Sequence, residues 1–310
     1  MVKRLIKKKK KKKLSLWIKL FILISAVIAF DLAYYSVIID VKKYATENPV
    51  KTAFMKYRET QWRAKGRTIK IKQVWVPLNK ISPNIRKAVI VSEDARFWKH
   101  DGFDFNAMRK AFEINIEKRT MALGASTITM QLAKNLYLSP SKNPVRKIHE
   151  AILTWRIERA LSKNRILELY LNTAEWGDGI FGIEMASRTY YGHSALELTR
   201  DEAVRLAAVL PNPILYNPLK NSRFVSRRSR LIARALGGDM KAAIALHETP
   251  QKKEPDRSMG DTVIETIQAT ADTIADSGVI LFPAIDSSQI TPSVLDSMIP
   301  SSADSSVDLL

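Results

Sequence analysis

The sequence predicts a mainly α-helical body carried behind one N-terminal membrane-spanning helix. Three observations lead there: a lysine run followed at once by an apolar segment, helical periodicity with matching caps from about residue 82 to 236, and almost no strand-like alternation. The membrane element comes first. Lys3 and Arg4 precede seven consecutive lysines, Lys7 to Lys13, and Leu14 to Phe30 is then apolar apart from Ser15, Lys19 and Ser25. Those seventeen residues rise about 25 Å as a helix, near the lower limit for a span. Lys19 lies close enough to one end to snorkel, and Trp17, Asp31, Tyr34 and Tyr35 suit the two interfaces. The positive-inside rule puts residues 1–13 in the cytoplasm as a basic segment, 14–39 in the membrane and the rest outside. A cleaved signal peptide fits less well, because Ala26-Val27-Ile28-Ala29 has the wrong spacing for a cleavage site.

Residues 40–75 are basic and mixed, with Trp62 and Trp75, and read as a juxtamembrane connector. The body follows, over 76–236. Asp104 is placed to cap a helix whose apolar stripe is Phe105, Met108, Ala111, Phe112 and Ile116. Asn143 and Pro144 make an N-cap and N1 pair opening a helix with Val145, Ile148, Ile152 and Trp155 on one face. Another helix begins near Lys163 with Ile166, Leu167, Tyr170 and Leu171. Thr199 and Glu202 form a capping box for a helix that Pro211 ends. Gly237-Gly238 reads as a boundary, and 237–310 as an acidic, disordered tail rich in Ser, Thr, Asp and Pro.

Charge sharpens that division. Ser258 to Leu310 holds seven Asp, one Glu and no Lys or Arg; the whole chain carries +19, so the first 257 residues carry +27. A body this basic suits an anionic partner: nucleic acid, a membrane surface or a phosphorylated substrate. With no cysteine, disulfides, thiolate metal sites and thiol nucleophiles are excluded.

Three constellations carry chemistry. In Val91 to Gly102, the adjacent carboxylates Glu93 and Asp94 precede aromatics, His100 and Gly102. Aromatic surroundings desolvate a carboxylate and make it a better base near neutral pH. In Gly124 to Asn135, small and hydroxylated residues ahead of a helix offer N–H groups and hydroxyls to an anion, and Lys134 adds charge. In Arg146 to Glu150, two cations and one carboxylate share a helix face and suit a pyrophosphate, with or without a divalent metal. Each alone also fits an ordinary surface. His149 and His193 have no metal-ligand spacing and read as structural.

Order and spacing decide. Glu93 to Gly102, Gly124 to Asn135, Arg146 to Glu150 and Lys163 to Asn172 together resemble the signature of the peptidoglycan glycosyltransferase family. That signature reads E-D-x-x-F-x-x-H-x-G, G-G-S-T-I-T-Q-Q-x-x-K-N, R-K-x-x-E and K-x-x-I-L-E-x-Y-L-N. Ala207 to Pro218 is similar to the family's last motif, and the resemblance covers roughly residues 80 to 235. Ala125 and Met130 depart from the pattern, and Lys142 stands where the family often has Arg, keeping charge without the bidentate fork.

The resemblance implies a lysozyme-like helical glycosyltransferase domain that polymerises lipid II with inversion and releases undecaprenyl pyrophosphate. It implies Glu93 as base and Glu150 as the second essential glutamate, orienting the pyrophosphate site with a role for Mg²⁺ or Mn²⁺ on Glu150. Lys134, Lys142, Arg146 and Lys147 supply the cations for a pyrophosphate leaving group. Asp94, His100, Ser126, Thr127, Gln131 and Asn135 complete the substrate-binding set. The expected partners are lipid II, the undecaprenyl-pyrophosphate-linked glycan, the membrane and cell-wall synthesis or division proteins, with no nucleic acid. The expected place is the bacterial inner membrane, single-pass, with the catalytic domain on the periplasmic side. Ser139-Pro140-Ser141-Lys142 matches the S-x-x-K of penicillin-binding acyltransferases, but no S-x-N or K-T-G follows, so a monofunctional chain is expected. The enzymatic rival is a lysozyme-like hydrolase or lytic transglycosylase, whose sugar-hydroxyl leaving group needs no cation cluster. A basic membrane-tethered scaffold explains the charge but not five ordered motifs.

Overall fold

The structure, a computed structural model, describes residues 16–117, 119, 126–140 and 144–248. The basic segment 1–13, Gly124, Ala125, Lys142, Asn143 and the acidic stretch Ser258 to Leu310 lie outside the described residues. The chain divides into two units, Met1–Lys253 and Glu254–Leu310, and every described residue belongs to the first.

Helix α1, Leu16–Ala33, passes through one π-helical turn, Tyr34–Ile38. The stretch Trp17–Ala45 is long and apolar enough to cross a membrane, by length and composition. Its apolar side chains are uncovered: Phe21 is 70% exposed and Phe30 67%. The expected connector is instead folded into the body. Thr52 caps α2, Ala53–Ala64, whose Met55 and Trp62 are buried against Phe181. The reason is apolar spacing on a short helix: Met55 and Trp62 are seven residues apart and share one face.

The other described α-helices and strands are β1 (Lys72–Gln73), α3 (Pro83–Glu93), α4 (Phe105–Glu117), α5 (Ile128–Tyr137), α6 (Pro144–Ala160), α7 (Lys163–Thr173), β2 (Glu175–Gly177), β3 (Ile180–Phe181), α8 (Ile183–Tyr191), α9 (Arg200–Val209), α10 (Arg223–Leu236) and α11 (Met240–Glu248). The caps follow the sequence. Asp104 Oδ1 accepts from Ala107 N at 2.9 Å, and Thr199 with Glu202 closes the capping box of α9. Ser162 caps α7. Three short strands form one sheet in the order β1-β3-β2, with β1 parallel and β2 antiparallel to β3. The core gathers Ile85, Ala88 and Val89 of α3, Leu132 of α5, Leu153 and Ile157 of α6, and Leu206 of α9.

Gly237-Gly238 ends α10 in a turn: Gly238 takes φ +90, and α11, inside the stretch expected to be disordered tail, folds back so that Ala242 and Leu246 are buried. Their spacing of four places both methyl-bearing faces on one side of a helix that needs cover. The apolar stripes of α4 and α6 are also uncovered. Phe105, Phe112 and Ile116 are each more than 60% exposed, and Val145, Ile148 and Trp155 between 43% and 53%. In α6 the buried side is the next one round, with Glu150, Leu153, Thr154 and Ile157.

Beside the sheet, Glu175 takes two bonds from Arg58 on Oε2, at 2.9 and 2.8 Å, while Oε1 is buried without a partner. Burial outweighs the guanidinium and lifts this carboxyl from its usual 4.5 to about 7. The folded state therefore holds a proton that the unfolded chain releases. Stability from this group is complete below pH 4.5 and is lost as pH rises towards about 7. Glu175→Gln is expected to remove that slope, so that wild type loses stability relative to the variant as pH rises from 4.5 to about 7. Parallel melting curves of the two proteins across this window would contradict it.

Candidate active site

Glu93 is the last residue of α3. Its carboxylate accepts from Gln131 Nε2 of α5 at 3.0 Å and from Arg228 of α10 at 3.1 Å. Gln131 is itself oriented by the Tyr170 hydroxyl, which donates to its Oε1 at 3.0 Å. Arg228 also bonds the Ser92 carbonyl at 3.2 Å. The Glu93 and Arg228 side chains are each 6% exposed, so the pair is shielded from bulk solvent. Neither Arg228 nor Tyr170 was among the expected site residues. A signal for Arg228 existed: it lies on α10 with Val225 and Ile232, an arginine on an otherwise apolar face.

Asp94 and His100 are bonded to each other and to the start of α5. Asp94 Oδ1 meets His100 Nε2 at 2.8 Å, and Oδ2 accepts from Ile128 N at 3.0 Å. Both oxygens are thus engaged, one of them at the N-terminus of α5, where a carboxylate suits the helix dipole. Thr127 is likewise inside: it caps α5 by accepting from Met130 N and donates to the Gly102 carbonyl at 2.7 Å. Gly102 takes φ +90, and a Cβ there would meet Glu158 and Thr154 of α6 at 2.8 Å, so only glycine lets this turn lie against α6. Asn135 is buried on α5. The motif therefore fixes where α5 starts and what it rests on.

The charge cluster follows along α5 and α6. Arg146 donates to Glu150 Oε2 at 2.7 Å, Lys147 to Glu150 Oε1, and Lys147 Nζ lies 3.5 Å from Ser126 Oγ. Glu150 is 3% exposed. Lys134, one turn beyond Gln131, is half-buried and makes no ion pair among the described residues. Burial pulls its ammonium below the usual 10.5, Glu150 and Glu93 pull it back up, and Arg146 and Lys147 push it down. The structure thus brings Glu93, Gln131, Lys134, Arg146, Lys147 and Glu150 to adjoining positions on three helices, with Ser126 in the loop before α5.

A metal on Glu150 does not fit these residues, because both carboxylate oxygens already face cations. Among the described residues, a trio with ligand spacing is Asp94, His100 and Asp104. Both Asp94 oxygens and Asp104 Oδ1 are committed, to the imidazole, Ile128 N, Ala107 N and Arg96.

Residues 62–237 match the family model described as transglycosylase. The chain belongs to the transglycosylase family. A protein of Nitrosospira multiformis named biosynthetic peptidoglycan transglycosylase is 46% identical over 185 residues, covering 60% of this chain and 80% of that protein. One of the same name from Thiobacillus denitrificans is 45% identical over 215 residues, covering 69% and 93%. Another from Chromobacterium violaceum is 41% identical over 218 residues, covering 70% and 96%. The transglycosylase match begins at Trp62, within the last turn of α2.

Proposed function

We propose that this transglycosylase is a peptidoglycan glycosyltransferase that polymerises lipid II, held in the bacterial inner membrane by α1. One observation carries the reading: a shielded carboxylate, Glu93, is joined through Gln131 to a helix whose next turn enters a cluster of three cations. The acceptor's 4-hydroxyl oxygen forms a bond to the donor's anomeric carbon while the bond from that carbon to the pyrophosphate oxygen breaks. The hydroxyl proton passes to Glu93, and the leaving electron pair goes to the pyrophosphate, which Lys134, Arg146 and Lys147 receive. Glu150 holds Arg146 and Lys147 in place. Asp94, His100 and Thr127 set the position of α5. We assign no step to a metal held by Glu150. A hydrolase would need a proton donor for a sugar hydroxyl and would have no use for these cations.

The test is incubation of the solubilised full chain with labelled lipid II. Polymer is expected; shortening of preformed strands without polymer would establish the hydrolase instead. The uncovered stripes of α4 and α6, together with α1, support placing this face against the lipid, where the substrate's isoprenoid resides. A topology reporter fused after Leu310 is expected to be active outside the cytoplasm. Activity only in the cytoplasm would refute the orientation.

A further inference from the structure

The end of α1 is fastened to the helix that bears the charge cluster. Asp31 Oδ2 hydrogen-bonds His149 Nε2, and the Tyr35 ring stacks on the imidazole with centroids 3.7 Å apart at 13°. Two turns further along α6, Arg156 donates to the carbonyls of Tyr35 at 2.7 Å and Val37 at 3.4 Å. Those carbonyls belong to the π-helical turn, a geometry that concentrates at functional positions. His149 is buried and is the residue immediately before Glu150.

A tether alone does not need these groups. At the interface end of a span a carboxylate stays solvated without a protein partner, yet Asp31 has one. Here the partner is one residue from the carboxylate that organises Arg146 and Lys147. Two attachments seven residues apart lie on one face of α6 and fix both its rotation and its axial position. Glu150 lies about 100° round from His149, so turning α6 about its axis swings the whole cluster.

We propose that the membrane span is a working part of the transfer site. Asp31 and Tyr35, gripping His149 and Arg156, set the rotation of α6 and so aim Arg146, Lys147 and Glu150 at the pyrophosphate. Asp31 and His149 are positioning residues, and the inference rests on the glycosyltransferase reading above.

The experiment measures kcat and KM for lipid II with the full chain in vesicles. Asp31→Ala and His149→Ala are each expected to lower kcat about tenfold while KM stays within about twofold, since small misplacements of oriented groups act on turnover. The double variant is expected to be no slower than the slower single one, because both break the same contact. Asp31→Asn, whose amide oxygen still accepts from Nε2–H, is expected to recover most of the rate. Unchanged kcat in Asp31→Ala, a change confined to KM, or losses that multiply in the double variant would each overturn the proposal. Asp31 is 41% exposed at its side chain, so its variants carry the test even where His149→Ala fails to fold. A wild-type chain that makes no polymer refutes the glycosyltransferase reading itself. A wild-type chain that polymerises beside an equally active Asp31→Ala refutes only the coupling.

Discussion

Glu93→Gln is expected to lower lipid II polymerisation by about 10³-fold or more, the upper part of the range for losing a general base. The glutamine keeps an oxygen for Gln131 Nε2 but cannot take the acceptor's proton. It also removes the countercharge of Arg228, whose side chain is 6% exposed. Breaking a buried pair on one side costs about 3–5 kcal/mol, so this variant is expected to melt lower as well. Glu93→Asp separates the two effects. It keeps the charge that Arg228 needs but withdraws the carboxylate by one methylene from the acceptor. It is expected to melt near wild type and still lose most of its turnover. Near-normal polymer yield from a folded Glu93→Gln protein would remove Glu93 from the chemistry.

Arg228 shows why part of this site was hidden in the sequence. It lies 135 residues beyond Glu93, among five arginines of α10, and no local motif joins them. Only the packing of α10 on α3 brings its guanidinium to the carboxylate. Glu93, Gln131, Lys134, Arg146, Lys147 and Glu150 were legible because each falls in an ordered motif. The motif does not say which of its polar atoms the fold itself engages, however. Asp94, His100 and Thr127 are as prominent in the pattern as Glu93, yet their polar atoms face one another and the start of α5. Helix starts were equally legible, since a cap is a local hydrogen bond between near neighbours. What covers a helix is not local. The stripes Phe105 to Ile116 and Val145 to Trp155 are legible from period alone, but period does not say what covers them, and the structure leaves both uncovered. Conversely, Met55 and Trp62 are too few for a convincing stripe, and their burial depends on Phe181, more than 100 residues away.

Lys134→Ala is expected to slow polymerisation by about 10²–10³-fold, the usual cost of losing one preorganised charge-stabilising group. The fold should survive, because alanine is a strong helix former and Glu150 keeps Arg146 and Lys147. The lysine makes no ion pair among the described residues, and burial lowers its pKa. Its charge is therefore held at a cost in the free enzyme and is compensated when a pyrophosphate arrives, most strongly as negative charge develops on the leaving oxygen. Glu150→Gln acts less directly, by loosening two cations, and is expected to lose about 10²-fold. The pH profile adds a second mark. The ammonium is the active form and is lost as pH rises through a pKa below the usual 10.5, so kcat/KM should fall on the alkaline side below that value. Lys134→Arg, which stays charged, is expected to carry that limb upward even if its absolute rate drops. An unmoved limb would show that another group titrates there, and wild-type kinetics in Lys134→Ala would reduce the cluster on α5 and α6 to a surface ladder of charges.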